Sequence, residues 1–278
     1  MPSPRFTTVD DLSIAYREVG DGDPVLFFHG WPSSSLLWRN ILPIVAGANR
    51  RAIAIDLPGF GDSDKPVDRT YSLDFYAKVI DGFCDALDLG PDLGIVIHDL
   101  GGPVALYWAM HTDRRLSHLA ILNTLIFPEL SWMARSFLGA CKTPGLRSVL
   151  VTPWSLRRTL RFGVNSPERV APEAYDGFCA PFPDRASRKA LIKTIADPDL
   201  ASLHDIAAWV TALDIPVQIV RGAKDRILPR MDHTADRILA ALPQAQLETF
   251  DDCGHFLQEE RPQEIGDVLA RFFAPPPL

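Results

Sequence analysis

Short, continuously apolar runs alternate with longer amphipathic stretches along most of this chain. That alternation constrains the fold more than any other feature. Val25-Leu26-Phe27-Phe28, Ala52-Ile53-Ala54-Ile55, Gly94 to Ile97, Leu119 to Leu122 and Val217 to Val220 each read as a buried strand. Hydrophobicity without polar alternation implies burial on both faces, as in a parallel sheet covered by helices. Thr70 to Leu87, Val104 to His111, Met231 to Leu242 and Pro262 to Phe273 carry the helical pattern. The βα order predicts an α/β fold with a mostly parallel, doubly wound sheet. Residues 5 to 19, turning at Asp10-Asp11, read as a leading antiparallel hairpin.

Between about Phe127 and Leu213 the strand-like runs disappear. That stretch is rich in aromatics, arginine and proline and reads as helical. The expected organisation is therefore a first core segment at 1–126, a helical cap inserted at 127–213, and a second core segment at 214–278. With 278 residues, 47% of them hydrophobic, the chain can bury one large core. A net charge of −7 without an evident basic stripe predicts neither a nucleic-acid nor an anionic-membrane partner. Met1-Pro2-Ser3-Pro4-Arg5-Phe6 lacks an apolar signal core, and no apolar run is long enough to span a bilayer. Cys84, Cys141, Cys179 and Cys253 are widely spaced, which suits free thiols in a cytoplasmic protein and no metal site. The terminal Ala274-Pro275-Pro276-Pro277-Leu278 reads as a frayed tail.

The chemistry is announced by Gly94-Ile95-Val96-Ile97-His98-Asp99-Leu100-Gly101-Gly102-Pro103. The strand pattern stops at His98, a helical pattern begins after Gly102, and Asp99 falls on the turn between them. This is the arrangement of a nucleophile elbow, which lifts one reactive side chain above the end of a parallel sheet. A carboxylate there attacks an electrophilic carbon and leaves an alkyl ester on the protein.

Two further groups complete a nucleophile–acid–histidine order: Asp225, just past the strand at Val217 to Val220, and His255, in the loop Asp252-Cys253-Gly254-His255 before the last helix. Taken singly, an aspartate after a strand is usually a turn or helix-cap residue, and a Gly-His pair is usually a loop. Their order and their shared placement at strand ends carry the catalytic reading. Backbone N–H groups of Trp31 and Leu100 are the expected oxyanion donors. His29 and His98 adjoin the proposed site as backbone organisers. The loop Asp56 to Pro66 lacks the Gly-Lys-Ser/Thr ending of a phosphate loop and reads as structural. Trp132, Phe137, Trp154, Phe178, Phe182 and Trp209 are candidates for an apolar lining under the cap.

At these residues the chain resembles the α/β-hydrolase superfamily and, within it, the haloalkane dehalogenases. His29-Gly30-Trp31-Pro32 is similar to that family's oxyanion segment. Asp56 to Pro66 is similar to its glycine-rich loop, Ile97-His98-Asp99 to its nucleophile segment, and Gly254-His255-Phe256-Leu257-Gln258-Glu259 to its histidine segment. The resemblance implies hydrolysis of a carbon–halogen bond in a small apolar substrate, without a cofactor. Two positions depart from the family pattern. The tryptophan that usually follows the nucleophile and binds the halide is Leu100, and the frequent asparagine after His-Gly is Trp31. Trp31, Trp154 and Trp132 are then the candidate halide donors. One branch of the family places its acid after the preceding core strand, where this chain has Asn123, so the acid is expected at Asp225. The alternatives are an epoxide hydrolase using the same aspartate, although the cap offers only Tyr175 as a tyrosine acid, and a non-catalytic protein binding a small apolar ligand.

Overall fold

The computed structural model describes residues 2–275; Met1 and the last three residues of the predicted tail lie outside the described residues. Eight strands form one sheet: β1 (Arg5–Val9), β2 (Leu12–Val19), β3 (Asp23–Phe28), β4 (Arg50–Ile55), β5 (Asp92–Asp99), β6 (Arg115–Thr124), β7 (Val217–Gly222) and β8 (Gln246–Phe250). Their spatial order is β1-β2-β4-β3-β5-β6-β7-β8. The leading hairpin pairs antiparallel with itself and with β4, while the pairings from β4 through β8 are parallel. This is the mostly parallel α/β sheet that the alternating pattern predicts, arranged as in the α/β-hydrolase fold that the resemblance implies.

Among the described residues twelve α-helices accompany the sheet. Three precede β6: α1 (Leu42–Ala46), α2 (Leu73–Ala86) and α3 (Gly101–His111). Between β6 and β7 lie α4 (Trp132–Lys142), α5 (Leu146–Leu150), α6 (Pro153–Gly163), α7 (Pro172–Cys179), α8 (Arg185–Ala196) and α9 (Leu203–Val210). α10 (Met231–Ala241), α11 (Leu257–Glu260) and α12 (Pro262–Phe273) follow β7 and β8. Local chemistry sets several of the boundaries. Ser72, Ser131 and Thr152 each accept a first-turn N–H at the start of α2, α4 and α6, and Asp184 with Ser187 makes a capping box on α8.

The central strands β3 to β7 are buried on both faces, which explains their unbroken hydrophobicity. On β3, Leu26 and Phe28 join one core cluster while Val25 and Phe27 join the other. Ile95 and Ile97 of β5 point into the first cluster and Val96 into the second, the two-residue period of a strand. β8 escapes the apolar-run reading for a matching reason. It is an edge strand, Gln-Leu-Glu-Thr-Phe, exposed over most of its length, so it needs no continuous apolar run.

The topology fixes the place of the site. β3 lies between β4 and β5, so the chain runs to one side of β3 and then crosses to the other. Phe28 pairs with Ile97, which sets the loop after β3 beside Asp99 at the carboxyl end of β5. Ligands in open α/β sheets bind at such a switch point.

Candidate active site

Asp99 sits at the tip of β5 with φ 49°, in the left-handed region. A side chain that is not glycine costs about 1–2 kcal/mol there. Close packing holds the turn in place. The Thr124 hydroxyl donates to the Asp99 carbonyl at 2.5 Å. A Cβ on Gly102 would lie 1.9 Å from that same hydroxyl oxygen, and one on Gly30 would lie 2.2 Å from the Asp99 Cβ. Glycine at these two positions lets the elbow close against β6 and the loop after β3.

His255 and Asp225 converge on this carboxylate. His255 Nε2 is 3.3 Å from Asp99 Oδ2, and His255 Nδ1 is 2.8 Å from Asp225 Oδ2. Asp225 is fixed in turn: its Oδ1 accepts the N–H groups of Ile227 and Leu228, each at 2.7 Å. The imidazole is fully buried. Burial disfavours its charged form, but the charge and hydrogen bond of Asp225, joined by those of Asp99, outweigh that and carry the His255 pKa up to about 10. For Asp99, burial pushes the carboxyl pKa up, but the hydrogen bond and charge of His255 and the Leu100 N–H outweigh it and hold it below the ordinary value. Both shifts favour a proton on His255 facing the Asp99 carboxylate.

The Trp31 N–H donates to Asp99 Oδ1 at 2.7 Å, and the Leu100 N–H also bonds this carboxylate. Two backbone donors therefore converge where a developing oxyanion on the Asp99 carboxyl group needs them.

The indoles proposed as halide donors lie elsewhere. Trp31 is buried, but its Nε1–H donates to the Leu191 carbonyl of α8 at 3.3 Å while the ring meets Phe137 edge-on. Trp132 and Trp154 are 76% and 67% exposed, so they face solvent and neither is a donor in a dry pocket. Both begin helices whose apolar sides turn inward without them, a placement that aromatic composition alone does not reveal. Leu100 is buried and offers no side-chain donor. Among the other lining candidates, Phe178 and Phe182 are buried and Phe137 and Trp209 half-buried. Tyr175 is buried and its hydroxyl pKa is raised by burial.

Other residues support the site without chemistry of their own. Asn123, with φ 27°, donates from Nδ2 to Asp225 Oδ2 at 2.8 Å and accepts the Gly222 N–H at 3.1 Å. It stands where the resemblance places an alternative acid, and it orients the Asp225 carboxyl group beyond β7. His29 bonds the Gly30 carbonyl through Nδ1 and accepts the Leu57 N–H at Nε2, tying the oxyanion loop to the loop after β4. His98 lies under His255, ring centroids 4.6 Å apart, and burial lowers its pKa to about 3, so it is neutral. Ser63 is a strut: it donates to the Asp56 carbonyl and accepts the Ala15 N–H. Burial pushes the Cys253 thiol up to about 12, which makes it inert at neutral pH. Among the described residues no cluster of three or more His, Cys, Asp or Glu side chains is placed to hold a metal.

Glu260 went unnoticed in the sequence. It is buried; its Oε1 accepts the Gly254 N–H at 2.6 Å, and its Oε2 accepts Asn165 N–H at 3.1 Å and Ser166 N–H at 2.7 Å. Beside it, the Gly163 carbonyl accepts the His255 N–H at 2.6 Å. The histidine loop is thus bonded to the helical excursion between β6 and β7, through backbone groups that no side-chain motif encodes.

The profile of the alpha/beta hydrolase family matches residues 25–268. A haloalkane dehalogenase from Sphingobium indicum is 30% identical, the match covering 96% of this chain and 94% of that protein. The chain belongs to the alpha/beta hydrolase family and, within it, to the haloalkane dehalogenases. The crystal structure of a haloalkane dehalogenase from Agrobacterium tumefaciens superposes with a TM-score of 0.81 at 27% identity over 97% of each chain. A cis-3-alkyl-4-alkyloxetan-2-one decarboxylase from Shewanella oneidensis is 27% identical, covering 96% of this chain and 87% of that protein.

Proposed function

We propose that this protein is a hydrolase that cleaves carbon–halogen bonds of haloalkanes through an aspartyl alkyl ester, giving alcohol and halide. The observation that carries this reading is the Asp99–His255–Asp225 arrangement, with a carboxylate at the elbow and two backbone N–H groups on it. In the first step the Asp99 carboxylate attacks the carbon in line, a C–O bond forms, and the C–X electron pair departs with the halide. In the second, His255 Nε2 takes a proton from water, and the resulting hydroxide attacks the ester carbonyl carbon. The oxyanion rests on the N–H groups of Trp31 and Leu100. Collapse breaks the bond between the carbonyl carbon and the alkyl-bearing oxygen, a proton from the site passes to that oxygen, and the alcohol leaves with the carboxylate restored. The net change is haloalkane plus water to alcohol, halide and a proton. Asp225 supports the imidazolium that forms.

The electrostatics order these steps. While Asp99 is anionic, it helps hold the His255 proton. Alkylation neutralises Asp99 and removes that stabilisation, so the imidazolium gives up its proton to solvent, the proton of the net reaction, and the neutral imidazole becomes a base when the ester is ready for water. The helices α4–α8 act as the cap, excluding bulk water from the carboxylate. α9, which packs on α3, belongs to the core.

A second reading has its own observation. Neither Leu100 nor the engaged Trp31 indole presents a side-chain N–H to a departing halide. A strained cyclic ether or ester keeps its leaving oxygen attached and needs no halide site. One panel separates the readings. Bromoalkanes, epoxides and a β-lactone are incubated with the enzyme, and bromide, diol and carbon dioxide are measured. Bromide release that is lost in Asp99→Ala supports dehalogenation. Diol or carbon dioxide without bromide replaces it with ring opening.

A further inference from the structure

Between Glu129 and Glu168 the sequence contains no acidic residue and six cations, Arg135, Lys142, Arg147, Arg157, Arg158 and Arg161, in a chain whose net charge is −7. The structure shows where they go. The inward side of α6 is Leu156, Leu160 and Gly163, and its outward side is Trp154, Arg157, Arg158, Arg161 and Phe162. The Arg158 guanidinium stacks 4.9 Å over the Trp154 ring, and Arg157 pairs with Asp176. On α5, Leu146 and Val149 are exposed beside Arg147, and α4 presents Trp132 and Arg135.

Of the seven large hydrophobic side chains exposed among the described residues, five belong to these three helices. α4 and α6 both adjoin α5, and α4 and α5 pack on α8, so the surface is continuous. It extends into an open cleft of about 930 Å³ between α5, the start of α6 and α8. Arg147, Arg185, Arg188, Lys189 and Lys193 line that cleft over a floor that includes Val151 and Ile192. The one carboxylate there, Asp197, is paired with Lys193.

Exposed aromatics on a monomer surface mark an interaction site, and their interleaving with arginines selects the partner. We propose that the outward face of α4–α6 docks on an anionic phospholipid surface. Tryptophan and phenylalanine suit the headgroup–acyl boundary, while arginines meet the lipid phosphates. No helix of the described residues is long and apolar enough to cross a membrane, so the contact is interfacial. A second copy of the chain fits less well, because a two-fold pairing of this face sets cations against cations. Nucleic acid would satisfy the charge but leave Leu146, Val149 and Phe162 without an apolar partner. The docked face lies one helix from the triad, since Gly163 at the end of α6 bonds the His255 N–H. Resting on the haloalkane reading, an apolar substrate dissolved in the bilayer would be delivered where the protein binds.

The test uses the full chain and vesicles of phosphatidylcholine with or without phosphatidylglycerol, read by flotation and by the blue shift of tryptophan emission. Binding is expected to the phosphatidylglycerol vesicles at low salt and to fade at 0.5 M salt. Arg158→Gln with Arg161→Gln is expected to weaken it about 25-fold, roughly fivefold per charge. Trp154→Ala is expected to weaken it about tenfold. Turnover of a water-soluble substrate is expected to stay unchanged in these variants. Equal partition onto both vesicle types, no partition at low salt, or indifference to the arginine substitutions overturns the proposal. Tighter binding to a single-stranded RNA than to vesicles reassigns the face to nucleic acid. Self-association lost in the same variants, without vesicle binding, reassigns it to a second copy. None of these readouts depends on turnover, so this inference fails separately from the dehalogenase reading.

Discussion

Glu260 offers the sharpest test of how His255, the proposed base, is held. Glu260→Gln preserves size and removes the charge. In the better of its two orientations the amide oxygen faces Asn165 and Ser166, and its NH₂ then opposes the Gly254 N–H, which bonds at 2.6 Å in the parent. One charge-assisted hydrogen bond is lost and two become neutral. Each such bond contributes about 1.5–3 kcal/mol, and relief from burying a carboxylate offsets part of the loss. A net destabilisation of about 2 kcal/mol follows, equivalent to a fall in Tm of roughly 4–8 °C. Because Gly254 precedes His255, the damage should concentrate in the second chemical step. Rapid-quench kinetics with a bromoalkane should show alkylation of Asp99 nearly at the parental rate and ester hydrolysis about tenfold slower, an effect typical of a misplaced catalytic group. An exposed control, Glu248→Gln, should change neither quantity. If Glu260→Gln melts within a degree of the parent and hydrolyses the ester at the parental rate, the tie between cap and histidine loop has no mechanical role.

Three further outcomes follow from the triad. Asp99→Ala should abolish turnover while leaving the fold intact by circular dichroism, and retention of a tenth of the parental rate would remove Asp99 from the nucleophile role. His255→Gln should let the ester accumulate, visible in intact mass as an alkyl adduct on the peptide carrying Asp99; an unmodified mass with bound substrate would argue against a covalent route. Asp225→Asn should lower kcat by about 10⁴, as for other triad aspartates, and a mild effect there would shift the acid role elsewhere.

Much of this was legible before any coordinates. The strands announced themselves because burial on both faces demands continuous hydrophobicity, and the elbow because a strand and a helix cannot meet at Asp99 without a sharp turn. What stayed hidden has a common cause. Asn123 and Glu260 act through backbone amides or across long sequence separations, where a lone Asn or Glu carries no pattern. The tryptophans misled for the complementary reason. An indole suits a pocket, a core and an exposed face alike, and only its place in the fold separates Trp31, in the turn after β3 and buried against Phe137, from Trp132 and Trp154, at the starts of α4 and α6 in solvent. The basic surface is invisible to net charge, because −7 for the whole chain conceals residues 130–167, a stretch of 38 without an acid.

The coupling between Asp99 and His255 yields a prediction about pH. A histidine whose folded pKa, about 10, stands above its ordinary 6.5 contributes stability that is complete below pH 6.5 and is lost as pH rises toward 10. The parent should therefore lose stability across that window. Asp99→Asn removes the negative charge that lies 3.3 Å from Nε2 but leaves Asp225 on Nδ1. The His255 pKa should fall, and the alkaline loss of stability should still begin near pH 6.5 but end at lower pH and be smaller in total. Asparagine here also stands in for the alkylated carboxyl group, since both are neutral with a carbonyl oxygen. The His255 pKa in Asp99→Asn therefore reports how basic the imidazole is at the moment it must take a proton from water. Ring-proton NMR titration of both proteins measures it directly. A His255 pKa that is the same with aspartate and asparagine at position 99 would show that the nucleophile's charge does not govern the base, and the two steps would need another source for their order.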